Sequence, residues 1–351
     1  MKILIATDAW HPQVNGVVRT LTSLAKSAAA LGADISFLTP DGFPSMPLPT
    51  YPGLRIALPN RREIARRIAE VAPDAIHIAT EGPIGWAVRA YCRRRKLAFT
   101  TSYTTRFPEY VAVRTGLPLS VGYAVMRHFH AASATTMVAT DSLRQELSAR
   151  GFRKLGFWTR GVDTELFNPH APVALDLPRP IFMTMGRVAV EKNLEAFLSL
   201  DLPGSKVVVG DGPQKAQLAK QFPDAIFLGE KKGADLTAHL AAADVFVFPS
   251  LTDTFGVVQL EALACGVPVA AFPVTGPKDV IGNHAVGALN ENLRVACLEA
   301  LGISRETCRA FALTRSWETS ARQFIDHVNQ VVVARSPKRH ATRPVQAPAQ
   351  G

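Results

Sequence analysis

The chain lacks most of the features that mark several function classes. Its 351 residues contain no apolar run approaching 18 residues, so no membrane-spanning helix is expected. Only four cysteines are present, Cys92, Cys265, Cys297 and Cys308, and none falls in a CxxC or metal-ligand spacing. They read as reduced thiols, which argues against a disulfide scaffold or a zinc module. No GxGxxG follows a strand-like run and no GxxxxGK[ST] occurs, which argues against dinucleotide-dependent dehydrogenase and P-loop NTPase chemistry. Charged residues make up 19% and apolar residues 47%, a balance unlike that of disordered chains. The opening MKILIATDAW lacks the apolar stretch and cleavage site of a secretory leader. A cytoplasmic protein is expected. At about 100–200 residues per domain, the length predicts two domains.

Charge is unevenly shared. The formal net charge is +10, yet residues 1–170 carry 21 Lys and Arg against 12 Asp and Glu, whereas residues 171–334 carry 14 against 17. The last 17 residues add four basic groups and no acid, and with three prolines they are expected to be disordered. The excess gathers in Arg61, Arg62, Arg66 and Arg67 and in Arg89, Arg93, Arg94, Arg95 and Lys96. Such a one-sided field attracts polyanions. No zinc-finger spacing, recognition-helix pattern or aromatic platform accompanies it, so an anionic membrane surface is favoured over nucleic acid.

Short β-branched-rich runs alternate with helical stretches, twice. Lys2–Ala6, Ile35–Leu38, Ala75–Ala79, Leu97–Thr101 and Thr136–Ala139 read as strands of a first sheet. Ile181–Met185, Lys206–Val209, Ala225–Leu228, Val245–Phe248 and Val267–Ala271 read as strands of a second. Helices are expected near Val17–Leu31, Arg61–Val71, Gly85–Arg95 and Ser142–Arg150. The alternation implies an α/β class with two doubly wound parallel-sheet domains. The boundary is expected near His170–Pro180, where three prolines fall within ten residues.

In such sheets ligands bind beyond the carboxyl ends of strands and against helix N-termini. Four segments lie there: NGVV around Gly16, GRVAVEKN with Gly186, Arg187 and Lys192, GDGP at 210–213, and PSLTDTFGVVQLEALACGVPV with Asp253, Gly256 and Glu261. An arginine, a lysine and a helix start form a clamp suited to a pyrophosphate. Each alone is weakly specific; their occurrence in order at strand ends is far more so.

With the further segments HIATEGPIGW, RGVDTELFNP and SWE at Ser316–Glu318, these motifs make the chain resemble the group 1, or family 4, retaining glycosyltransferases of the GT-B fold, and its glycolipid-forming, diacylglycerol glycosyltransferase-like branch. The resemblance covers nearly the whole chain. It implies two Rossmann-like domains facing across a cleft: residues 1–172 for the acceptor, 173–316 for a nucleotide sugar, with a helix at about 317–333 returning to the first. Arg187, Lys192 and Asp253 would be catalytic. Gly16 and Gly186 would approach the diphosphate, Gly229 and Lys231 the base. Asp253, Thr254, Phe255, Gly256 and Val257 would line the sugar, and Glu261 would bind the ribose. Glu81, Gly82, Thr104 and Arg106 would lie on the acceptor side. Members often carry a glutamate where Asp253 stands and a histidine where Thr104 stands.

The implied reaction moves a hexose from a UDP- or GDP-sugar to a lipid hydroxyl such as diacylglycerol. It would need no cofactor and no metal, and would take place at the inner face of the cell membrane. A soluble or polyprenyl-linked saccharide acceptor is the alternative, and a non-catalytic nucleotide-sugar binder a more distant one.

Overall fold

The computed structural model describes residues 1–13, 16–47, 55–170 and 173–333. The basic tail expected to be disordered lies outside the described residues, as do Asn15 of the NGVV segment and positions 171 and 172 of the expected boundary. The chain forms two six-stranded sheets, parallel throughout, each with helices on both faces, and one small antiparallel hairpin.

The first half runs β1 (Lys2–Ala6), α1 (Gly16–Ala30), β2 (Asp34–Leu38), the hairpin β3 (Ser45–Pro47) and β4 (Arg55–Ala57), α2 (Arg61–Val71), β5 (Ala75–Ile78), α3 (Pro83–Arg94) and β6 (Thr100–Ser102). It continues through α4 (Phe107–Thr115), α5 (Leu119–His130), β7 (Thr135–Val138), α6 (Asp141–Ala149) and β8 (Leu155–Phe157). The strands order as β2-β1-β5-β6-β7-β8. Alternation along β1 sends Leu4 and Ala6 to one face with Ile64, Ile76 and Val88, and Ile3 and Ile5 to the other with Leu21, Leu24 and Trp158.

The second half runs β9 (Ile181–Met185), α7 (Leu194–Leu198), β10 (Ser205–Val209), α8 (Lys215–Gln221), β11 (Ile226–Gly229), α9 (Gly233–Ala241), β12 (Val245–Phe248) and α10 (Val257–Ala264). It continues through β13 (Val269–Ala271), α11 (Pro277–Val280), β14 (Gly287–Leu289), α12 (Leu293–Ala300) and α13 (Arg305–Leu313). Its strands order as β11-β10-β9-β12-β13-β14. The last helix, α14 (Trp317–Val333), leaves this half and packs Ala321, Phe324 and Val328 against Ile3, Ile5 and Leu21 of the first. Trp158 Nε1 donates to Ser320 at 3.1 Å, fixing α14 there.

Strand order reverses direction between β1 and β5 in one sheet and between β9 and β12 in the other. At such switch points the flanking loops diverge and leave a crevice. Every motif singled out above as ligand-binding flanks one of these two crevices or an adjoining strand end.

Two expectations need correction. The strand expected at Leu97–Thr101 is Thr100–Ser102, because Lys96 and Leu97 instead close α3 with bonds to Arg93 and Cys92 carbonyls. Arg89 is not part of a basic surface: it is buried, and its guanidinium donates to the Phe129 and His128 carbonyls at 2.8 Å. Arg93, Arg94, Arg95 and Lys96 are exposed.

Candidate functional site

At the second switch point, β9 ends in Gly186, whose φ of +144° is open to glycine, and the chain passes Arg187 into a single 3-10 turn at Val190–Lys192. The loop after β12 comes alongside it. Asn193 Nδ2 donates to the Pro249 carbonyl at 3.0 Å, and the hydroxyls of Ser250 and Thr252 donate to the Glu191 carbonyl. These bonds stitch the two loops together and bring Lys192 Nζ within 2.7 and 2.8 Å of the two Asp253 oxygens. The expected catalytic lysine and carboxylate are therefore one half-buried ion pair.

Glycines let backbone pack on backbone on this side, with the Gly186 and Gly210 amides donating to the Val209 and Gly229 carbonyls. Gly210 and Gly212 have φ of +145° and +159°, and a Cβ on Gly210 would stand 1.8 Å from the Gly186 carbonyl oxygen. Gly256, at φ +78°, caps α10, and its missing side chain leaves room for Phe248 and Gln259. Phe255 is buried, while Thr254 and Val257 are half-buried at the mouth of the loop. Gly229 closes β11 at φ +73°, and Lys231 two residues on pairs with Asp235 at 3.3 Å.

Glu261, on α10, is buried and ion-paired with Arg19 of α1, which begins one turn earlier at Gly16. Burial pushes its carboxyl above the usual glutamate value, with Arg19 opposing. Its Oε2 is buried without a hydrogen-bond partner. Around Gly16 no atom lies within 4 Å of where a Cβ would stand, so the helix start is open to a ligand's approach. Thr254 Oγ1 crosses between the halves and donates to the Thr104 carbonyl at 2.8 Å.

The first switch point is finished with side chains. The Asp8 carboxylate accepts from the Thr80 hydroxyl at 2.8 Å and from the Ile84 and Gly85 amides at 2.8 and 3.2 Å, capping α3. Burial raises its pKa. Gly82 is glycine for a steric reason: a Cβ would stand 2.4 Å from Asp8 Cγ. Glu81, expected to face the cleft, is turned inward; Oε1 lies 3.0 Å from His130 Nε2, and Oε2 is buried without a partner. Arg106 is buried too, bonded to Glu146 at 2.7 and 3.0 Å and to Glu109 at 3.3 Å, which ties α4 to α6. Thr104 is half-buried, its hydroxyl on the Ala79 carbonyl at 3.4 Å.

Sequence reasoning brought the Lys192 and Asp253 motifs to one crevice but missed their pairing, the Asn193 stitch, Arg19 and the buried Glu81–His130 pair. His128 and His130, two residues apart and so on different faces of α5, have different environments: His128 is exposed, stacked on Trp86 at 6.1 Å, while His130 is buried. Among the described residues no three His, Cys, Asp or Glu side chains gather as a metal-binding group. Nor, among them, is any helix long and apolar enough to cross a membrane.

Residues 14–166 match the family described as Glycosyltransferase Family 4, and residues 179–301 the one described as Glycosyl transferases group 1. A GDP-mannose-dependent alpha-mannosyltransferase of Mycobacterium tuberculosis is 29% identical over 82% of this chain and 83% of its own. An alpha-monoglucosyldiacylglycerol synthase of Streptococcus pneumoniae is 25% identical over 94% of this chain and 85% of its own. Among solved structures, a sucrose-phosphate synthase from Thermosynechococcus elongatus superposes with a TM-score of 0.76 at 20% identity, covering 95% of this chain and 99% of that one. The chain therefore belongs to the group 1, family 4 glycosyltransferases of the GT-B fold, and is a nucleotide-sugar-dependent glycosyltransferase.

Proposed function

We propose that this enzyme transfers a hexose, with retention of anomeric configuration, from a nucleotide diphosphate sugar to a lipid hydroxyl such as diacylglycerol at an anionic membrane surface. The observation that carries the lipid reading is an apolar surface on the acceptor half. Val111, Val113, Leu117, Leu119, Val121 and Val125 of α4, α5 and their connection are each 40–73% exposed. Exposed Arg127 lies on the same helix pair, and exposed Arg93, Arg94, Arg95 and Lys96 end α3, which Arg89 ties to the α5 backbone. Apolar side chains rimmed by cations suit an interface, each basic group near the surface contributing about 1 kcal/mol. The name of the streptococcal relative, a diacylglycerol-glycoside synthase, points the same way.

In the donor half, Glu261 would receive ribose hydroxyls, and its unpartnered oxygen fits that task. Gly229 and Lys231 would flank the base. Arg187, Lys192 and the close backbone approach allowed at Gly16 and Gly186 would hold the diphosphate, with Asp253 to Val257 around the sugar. In transfer the bond from the anomeric carbon to the phosphate oxygen breaks, and the acceptor oxygen bonds that carbon on the same face. The acceptor's proton passes to the departing phosphate oxygen. Arg187 and Lys192 stabilise the anion as it forms, supplying without a metal the charge the departure needs, each worth about 3–4 kcal/mol by analogy with oxyanion donors.

The test is transfer from UDP-glucose and GDP-mannose to diacylglycerol in vesicles of graded phosphatidylglycerol content, with co-sedimentation measured alongside. Binding and rate should rise with anionic lipid, fall with salt and withstand EDTA. Turnover of a soluble saccharide acceptor, with no response to vesicles, would overturn the lipid reading. Loss of rate in EDTA with rescue by magnesium would overturn metal independence.

A further inference from the structure

Glu261 and Arg19 meet across the crevice from helices anchored in different halves. α1 is fixed to the first sheet through Leu21, Leu24 and Ala28, which pack with Ile3, Ile5 and Phe324. α10 belongs to the second half, with Leu260, Ala262 and Leu263 in its core. Arg19 reaches out of the first half: its guanidinium bonds Glu261 Oε1 and lies 5.9 Å from the centre of the Phe167 ring. The Phe167 backbone is itself tied to the end of α10, because Arg309 donates at 2.8 Å to both the Phe167 and the Ala264 carbonyls. The arginine therefore occupies a seat built around α10.

The two side chains differ sharply in exposure, 35% for Arg19 and 2% for Glu261. A carboxylate so enclosed keeps its charge only where a cation or several donors face it. Among the described residues Arg19 is the cation paired with it, and it engages one oxygen, Oε1, while Oε2 is buried without a hydrogen-bond partner. An ionised carboxylate accepts hydrogen bonds at both oxygens, whereas a protonated one commits an oxygen to donating. Oε1 thus takes the charge-compensating bond and Oε2 is kept as a bare acceptor.

We propose that Arg19 is a positioning residue for the nucleotide: by bonding Oε1 it holds Glu261 ionised and aimed, so that Oε2 can receive a ribose hydroxyl. The inference rests on the placement of the ribose at Glu261 proposed above and deepens it. Recognition of a nucleotide by the donor half then depends on a cation supplied by the acceptor half.

The test measures calorimetric binding of UDP and GDP beside their 2′,3′-dideoxy counterparts, which lack the ribose hydroxyls. It uses wild type, Arg19→Ala, Arg19→Lys, Glu261→Gln and the double variant of Arg19→Ala with Glu261→Gln. Wild type should favour the ribonucleotide it binds by at least about tenfold, the effect of a hydrogen bond to a charged group. Arg19→Ala should lose that preference while its affinity for the dideoxynucleotide stays within about twofold, and Arg19→Lys should keep most of it. Glu261→Gln should lose it as well. Adding Arg19→Ala to Glu261→Gln should then weaken binding by no more than about twofold, because an uncharged carboxamide needs no cation. A preserved preference in Arg19→Ala, or tighter ribonucleotide binding there, would overturn the inference. So would equal losses for both nucleotides, the mark of a merely structural role. Failure of the ribose placement would look different and would take the inference with it: Glu261→Gln would then keep the full preference for the ribonucleotide.

Discussion

The two sheets share a construction but complete their crevices by opposite means. In the second half, glycines finish the strand ends. Gly186, Gly210 and Gly212 hold φ values between +144° and +159°, and the Gly186 and Gly210 amides donate to the Val209 and Gly229 carbonyls, so backbone packs directly on backbone. In the first half, side chains finish them: Asp8 caps α3, Glu81 meets His130, and His77 joins Thr100 and Ser102 at 2.8 and 3.1 Å. Glycine lets two loops pack backbone against backbone, which fixes the shape of a crevice. A side-chain floor can change with the acceptor while the fold stays the same.

That contrast can be broken by experiment. The largest effect belongs to the donor crevice: Lys192→Ala should slow transfer about 10²–10³-fold, since it removes a cation from the departing phosphate and strands Asp253. His130→Asn, on the other side, should cost less than tenfold. Rates that fall equally would mean the chemistry is shared between the crevices. Next comes Gly210→Ala. Its Cβ would collide with the Gly186 carbonyl, and the left-handed φ adds strain, so a loss of roughly 1–3 kcal/mol is expected in denaturant unfolding. Gly16→Ala, with open space around it, should leave the unfolding midpoint in place and act only on nucleotide affinity. A Gly210→Ala protein as stable as wild type would remove the steric reason for glycine there.

The remaining test lies in the first half's floor. Burial holds the His77 imidazole down to about 3, with Arg160, His130 and His327 adding repulsion, so it stays neutral in the folded state. The unfolded chain takes up a proton below its ordinary value of 6.5, and the folded chain does not. Stability from this residue is therefore intact above pH 6.5 and lost as pH falls toward 3, by roughly 1.4 kcal/mol per pH unit. His77→Gln should flatten that slope in unfolding curves between pH 6 and 4; an unaltered slope would assign the acid lability to other groups.

Much of the fold was legible because buried parallel strands are written as apolar, β-branched runs such as KILIA and IFMTM, and helices end at glycines. Arg61–Val71 and Ile181–Met185 fall where their patterns put them, and Trp317–Val333 where the family resemblance put it. β6 was harder: its Thr100–Ser102 pack polar hydroxyls against histidines, so the strand carries no apolar signature. Arg89 was read with the exposed arginines that follow it because composition does not reveal which helix face a side chain occupies. In the second crevice the order of the motifs at strand ends foretold that the Arg187–Lys192 and Asp253–Glu261 segments lie together. The partners of their side chains were not legible: Lys192 meets Asp253 across 61 positions, and Arg19 meets Glu261 across 242. No local pattern spans such distances.

The Arg19–Glu261 pair also bears on how such enzymes can be recombined. A GT-B chain invites exchange of halves, one bringing the donor and the other the acceptor. Here the buried carboxylate of one half is neutralised by an arginine from the other, and Thr254 leans on the Thr104 backbone. A transplanted donor half would carry Glu261 into a partner without its cation unless Arg19 travelled with it. The unit of inheritance is then the seam together with both halves, and a chimera that respects the domain boundary alone divides a single electrostatic element in two.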